Sequence, residues 1–233
     1  MPTICTSQGR LVRMRLTRLD ECGAPVVGAC STVTTGGAVS VGVEPTYRDA
    51  DEIEEVNGAG ELCVVDRIAP QFKWDELEIV LCNIDPDAWN IITGGALVLD
   101  DTAVTPQTVG FRQQAGLPAS NFALEIWTKV TGQACAAGEV QSGYWLFPWI
   151  AQGTVGEFEF ANAALTLTLN AISSGNSPWG VGPDTYTVRA DATTGTPEQL
   201  RTAIGADDHL HFEVVTVPPP EAVCGCVALP ADA

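Results

Sequence analysis

The chain has 233 residues, 45% of them hydrophobic, and sets 11 Lys+Arg against 29 Asp+Glu for a formal charge of −18. That apolar content allows a substantial core and excludes disorder over most of the length, and all-β domains of this size are commonly undivided. The charge excludes a tight grip on DNA, RNA or an anionic membrane, each of which needs clustered cations. Such a charge keeps a chain soluble and opposes the packing of its copies, so the carboxylates either solvate an outer surface or are gathered where repelling polyanions is useful.

Residues 1–8 lack a basic stretch followed by an apolar one, so no secretory signal is expected. No apolar run approaches the roughly 20 residues needed to span a bilayer. The expectation is a protein made as a soluble cytoplasmic chain. Plentiful Gly (23) and Pro (15), with short runs of Val, Thr and Ile, favour strands and turns over long helices.

In chain order, Val12, Met14 and Leu16 alternate with Arg13, Arg15 and Thr17, the pattern of a half-buried strand. Gly23, Ala24 and Pro25 turn the chain into a partner strand at 26–33, and 38–43 forms another. From 47 to 61 the sequence becomes acidic, ends in Asn57-Gly58 and reads as a long loop or an extended hairpin tip. Strand character resumes at 62–66 and 74–82. Asp85, Pro86 and Gly94 then mark a short helix, with an N-cap, a first-turn proline and a left-handed stop. Trp89, Ile92 and Ala88 form its expected buried face. Further strands are predicted at 96–99, 122–130 and 144–150. Phe158 and Phe160 alternate with glutamates, and Leu165, Leu167 and Leu169 with threonines, predicting a β-hairpin turning at Asn162. Strands at 185–190 and 209–217 follow, with a second helix running from Thr196 to Gly205 on a capping-box pattern. Pro218, Pro219 and Pro220 end the expected ordered part, so 1–9 and 218–233 read as extended termini of a single domain.

Eight cysteines lie scattered, apart from Cys224-Gly-Cys226, whose spacing is wrong for a zinc ribbon. Reduced thiols are expected at synthesis, with Cys22 and Cys30 as the best pair for a later bridge and Cys82 as a buried strand residue.

Catalytic patterns are scarce. Only two histidines exist, which limits acid–base chemistry near neutrality. His209, His211 and Glu213 share one strand face and could hold a metal; the plainer reading puts them on a solvent face opposite Leu210, Phe212 and Val214. Ser177 lies in a sequence that misses a nucleophile elbow, because Trp179 replaces the second glycine. No phosphate-binding glycine loop is present. Trp145 and Trp149 could build a sugar platform, although core or subunit-interface packing suits them better. Neither enzyme nor cofactor is expected. Arg10, Arg13, Arg15 and Arg18 hold four of the eleven basic residues, a cationic strand suited to another copy's acidic surface; a single exposed strand face is the alternative.

The chain resembles the major tail proteins, or tail tube proteins, of long-tailed, non-contractile phages infecting actinobacteria. The resemblance is carried by Met14-Arg-Leu-Thr-Arg-Leu-Asp-Glu-Cys-Gly-Ala-Pro-Val-Val-Gly-Ala-Cys-Ser31 and Asp85-Pro-Asp-Ala-Trp-Asn-Ile-Ile-Thr-Gly94. It continues in Gly143-Tyr-Trp-Leu-Phe-Pro-Trp149, Trp179-Gly-Val-Gly-Pro183 and Asp207-Asp-His-Leu-His211. It implies a mainly β fold, a tail-tube-type β-sandwich or barrel with one or two short α-helices and a long acidic loop. It also implies copies joined in rings, usually hexameric, that stack into a hollow tube of the virion tail, assembled in the host cytoplasm. The partners implied are the chain itself and other tail proteins such as the tape measure and tail terminator. DNA would pass through an acidic lumen without specific binding, and no membrane is involved. Asp49, Asp51, Glu52, Glu54 and Glu55 are the expected contacts between stacked rings, with Arg13 and Arg15 their partners on the adjoining ring. The alternative reading is a carbohydrate-binding β-sandwich adhesion module.

Overall fold

The computed structural model describes residues 7–49, 52–83, 85–100, 102, 106–116, 120–131, 141–162, 164–191 and 193–231. The fold is mainly β and built on one large antiparallel sheet. Its strands are β1 (Ser7–Leu19), β2 (Gly28–Thr35), β3 (Ala38–Tyr47), β4 (Glu52–Val56), β5 (Leu62–Arg67), β6 (Phe72–Leu81), β7 (Ala96–Asp100) and β8 (Gln107–Arg112). After them come β9 (Asn121–Thr131), β10 (Ser142–Val155), β11 (Leu167–Ser173), β12 (Arg189–Ala190), β13 (Pro197–Glu198), β14 (His211–Val215) and β15 (Val227–Leu229). The helix α1 (Pro86–Thr93) lies between β6 and β7.

The main sheet runs β15-β2-β1-β9-β10-β11-β6-β3, and it forks at β10. One edge of β10 pairs with β9; the other pairs with β14 along Ser142 to Leu146 and with β11 from Ile150 onward. The two halves of the sheet close on a single core. Met14, Leu16, Leu124 and Phe147 from one half meet Leu77, Ile79, Leu169 and Ala171 from the other. This sandwich packing follows from period-two alternation: in β6, Asp75, Leu77, Ile79 and Leu81 are buried while Glu76 and Glu78 are exposed.

Helix α1 closes that core as its caps predict. Asp85 accepts the amide of Asp87 at 2.9 Å, and Gly94 takes a left-handed φ of 70° that a side chain would disfavour. Ala88, Trp89, Ile91 and Ile92 are buried, and Trp89 stacks on Phe111 at 4.0 Å between ring centroids. Gly153 of β10 lies so close to the helix that a Cβ there would overlap the carbonyl oxygen of Ile92.

A second core covers the opposite face of β1, β9 and β10. Leu19, Trp127, Tyr144 and Leu146 pack against Trp179, Tyr186, Leu200 and Ile204. The expected helix at 196–205 is absent here for a physical reason: its backbone donors have other partners. Leu200 donates to Val181 and Ile204 to Gly180, while Glu198 pairs with Arg189 across β12 and β13.

The sequence expectations need four more corrections. Among the described residues of the hairpin expected at 157–169, only the part from Leu167 onward is strand, and Phe158 and Phe160 pack edge-to-face on each other outside the sheet. Phe160 is 81% exposed. Cys82 is exposed, because β6 ends one residue earlier. The disulfide joins Cys30 to Cys226 and leaves Cys22 free, so the bridge spans 196 residues rather than a short loop. Finally, the segment after the prolines is a strap across the sheet. Val223 donates to Thr34, β15 extends the sheet beyond β2, and Leu229 is buried in the second core.

Candidate assembly surface

The acidic segment predicted as a loop or hairpin tip is half of an arm. Tyr47 lies opposite Phe72 at the end of the β3–β6 pairing, and Glu52 lies opposite Arg67 at the start of the β4–β5 pairing. β4 and β5 form a two-stranded sheet of their own, and its register is the same as that of the last β3–β6 pair. The strand β4 alone spans about 16 Å, at about 3.3 Å per residue. The tip is held locally: the Asn57 side chain accepts the amides of Ala59 and Glu61, each at 2.9 Å.

Every described residue from 47 to 73 is exposed. The two strands of the arm differ in chemistry. β4 carries Glu52, Glu54 and Glu55, whereas β5 carries Leu62, Val64 and Val65. The sequence gives residues 62–66 strand character without saying what covers them. In the structure Val56, Leu62 and Val65 are each more than half exposed. An isolated two-stranded hairpin is marginal in water, and here it exposes aliphatic side chains, Leu62 and Val64 on one face and Val65 on the other.

The sheet face that leads into the arm is acidic. Glu44 sits directly opposite Glu76, and Glu78 is two residues further along β6. Like charges so placed destabilise a sheet, so this pairing works against folding and asks for a purpose outside the subunit. An open trough of about 730 Å³ over this face is lined by these three carboxylates together with Gln152, Thr154 and Asn170.

The expected assembly residues separate into groups. Asp49, Glu52, Glu54 and Glu55 are exposed on the arm or at its base, and Asp51 lies outside the described residues. Arg15 cannot serve the adjoining ring, because its guanidinium is engaged and largely covered within its own subunit. Its Nε and Nη2 donate to the two oxygens of Glu125, each at 2.5 Å, and the Tyr144 hydroxyl donates to Glu125 at 2.7 Å. The guanidinium carbon stands 3.4 Å from the Tyr186 ring centroid, and Tyr186 shares a 2.8 Å hydrogen bond with Thr17. Arg13 donates to the carbonyl of Pro220 at 3.1 Å and Arg18 to Asn90 at 2.5 Å. The supposed cationic strand is therefore largely engaged within the subunit, and of its four arginines Arg10 alone is exposed rather than partly buried.

Burial opposes the Arg15 charge, but the Glu125 carboxylate outweighs it and leaves the guanidinium pKa raised. Burial also pushes Tyr144 well above the usual phenol value and Tyr186 up to about 12. A folded pKa above the unfolded one stabilises the protein below the unfolded value, near pH 10, and that stability is lost as pH rises through the folded value. Melting temperature is thus expected to fall between pH 10 and 12, with tyrosinate absorbance appearing together with unfolding. Tyr186→Phe should flatten that slope. A melting temperature constant up to pH 12 would count against the buried network.

The histidines also depart from expectation. His209 leaves the strand face and bonds Ser173 through Nδ1 at 2.8 Å. His211 and Glu213 point inward, 3.5 Å apart, while Phe212 faces out against Trp145. The imagined metal face of His209, His211 and Glu213 is therefore not assembled. Trp145 and Trp149 pack against different cores and share no platform.

No family model matches the chain, and no curated protein matches it.

Proposed function

We propose that the chain is a structural protein that assembles with copies of itself into stacked rings, the tube of a phage tail. The reading starts from the sequence resemblance. The observation that carries it furthest is the exposed hairpin arm, with its acidic strand beside an aliphatic one. Each half-exposed aliphatic side chain covered by a neighbour contributes roughly 1 kcal/mol, so a repeated arm contact suits a polymer built from many weak identical joints. The face bearing Glu44, Glu76 and Glu78 is the proposed lining of the bore. Fixed carboxylates there repel phosphates and give DNA nowhere to adhere.

The test is a triple substitution, Leu62→Ser with Val64→Ser and Val65→Ser. These side chains are exposed in the subunit, so circular dichroism and melting temperature should match the unsubstituted chain. Electron microscopy should show tubes for the unsubstituted chain and none for the variant. Tubes of normal length from the variant would remove the arm as the joint. Failure of the unsubstituted chain to assemble, even with other tail components, would remove the tube reading itself.

A further inference from the structure

The C-terminal strap is closed at one point by covalent chemistry, and a carboxylate faces that point. Cys30 and Cys226 are bonded, with their Cα atoms 4.7 Å apart. Asp87, 5% exposed in the first turn of α1, holds Oδ1 3.9 Å from Cys30 Sγ. Its Oδ2 accepts the Cys226 amide at 3.1 Å, while Oδ1 accepts the Thr108 hydroxyl at 3.3 Å. Asp85 accepts the next amide along the strap, that of Gly225, at 3.0 Å. The two sulfurs and the Asp87 carboxylate all lie within 4.8 Å of one another. They sit beside a cleft of about 480 Å³ lined also by Gln107 and Cys224.

We propose that in the reduced chain Cys30, Cys226 and Asp87 bind a divalent cation of zinc type, so that either a disulfide or a metal closes the strap. Two thiolates and a carboxylate form a donor set suited to a borderline-soft ion. Zinc bonds of about 2.3 Å to sulfur and 2.0 Å to oxygen, at tetrahedral angles, put S and O about 3.5 Å apart. The Cys30–Asp87 edge is already near that length. The two sulfurs must part to about 3.8 Å, which rotation about their Cα–Cβ bonds supplies over a fixed backbone. The Cys226 amide and the Thr108 hydroxyl orient Asp87, as outer partners orient metal ligands. The fourth position opens on the cleft and takes water.

The interconversion balances. A dithiol reductant gives two electrons to the Cys30–Cys226 bond by exchange and becomes a disulfide, leaving two protonated thiols. Metal binding then releases both protons to solvent.

The experiment uses the full chain, oxidised and then reduced with a phosphine, which competes for the ion far less than a dithiol does, and which is removed before titration. Cobalt(II) is the spectroscopic probe and zinc(II) the competitor. The reduced chain should bind one cobalt, with the intense visible bands of a tetrahedral site and a thiolate charge-transfer band, all removed by zinc; the oxidised chain should show none of these. Asp87→Asn should weaken binding by more than the roughly 10- to 100-fold that loss of an outer partner costs, and Cys224→Ser should bind as the unsubstituted chain does. Equal binding by the oxidised chain, or no binding by the reduced one, would overturn the proposal without any variant needing to fold. Loss of binding in Cys224→Ser with retention in Cys30→Ser would also overturn it, since the ion would then sit on the Cys224-Cys226 pair.

Discussion

Glu125→Ala is expected to destabilise the subunit by about 3–5 kcal/mol, the usual consequence of removing one partner of a buried ion pair. Glu125 is fully buried, and its two oxygens satisfy Arg15 and the Tyr144 hydroxyl. Its removal strands the Arg15 guanidinium among Trp127, Tyr186 and Tyr144, where water cannot replace the lost acceptor. For a chain of this size the melting temperature should fall by roughly 10 °C. Arg15→Met combined with Glu125→Leu should be much milder, because it removes both charges and keeps the volume. Urea unfolding of Arg15→Met, Glu125→Leu and the double variant measures the coupling. A Glu125→Ala chain within about 1 kcal/mol of the unsubstituted one would mean that solvent reaches the site.

The second large effect concerns the Cys30–Cys226 bond. It closes a loop spanning 196 residues, so nearly the whole unfolded chain is constrained by it. The chain-entropy estimate for such a loop is about 5 kcal/mol, and measured values for disulfides run at about 2–4 kcal/mol. Reduction in the presence of a chelator should therefore lower the melting temperature by about 10 °C. Cys22→Ser should leave the difference between oxidised and reduced chains unchanged. Identical melting of the two forms would show that the amide bonds to Asp85 and Asp87, with β15, hold the strap without the bond.

Local signals in the sequence were reliable where the structure is local. Asp85, Pro86 and Gly94 define α1 because capping depends on a few neighbouring residues, and the alternation of Met14 and Leu16 defines the core face of β1 for the same kind of reason. Alternation fixes two faces without saying what covers the second. Arg15 and Thr17 looked solvent-facing, yet the segment carrying Trp179, Tyr186 and Leu200 covers them from more than 150 positions away. β14 shows the converse, since His211 and Glu213 face in while Phe212 faces out to Trp145. The disulfide was illegible because a partner 196 residues distant leaves no spacing to recognise. On the arm, acidity and the Asn57 turn could be read in advance. The exposure of Leu62, Val64 and Val65 could not, because an apolar strand looks the same whether its cover comes from its own chain or from another.

The place of β15 in the sheet has a mechanical consequence. β1 enters the sheet at Ser7, and β15 leaves it at Leu229 beside Gly28. Because Met14 pairs with Thr35 and Thr17 with Thr32, those two points lie at opposite ends of the same layer. Tension applied between them pulls β1 and β15 in opposite directions along the strand axis, with β2 between them. The ladder bonds are then loaded together in shear rather than opened one after another like a zipper. The step from β15 to β2 is bridged covalently at Cys30 and Cys226. The load passes to the flanks of β1 against β2 and β9, where its ladder bonds share the shear.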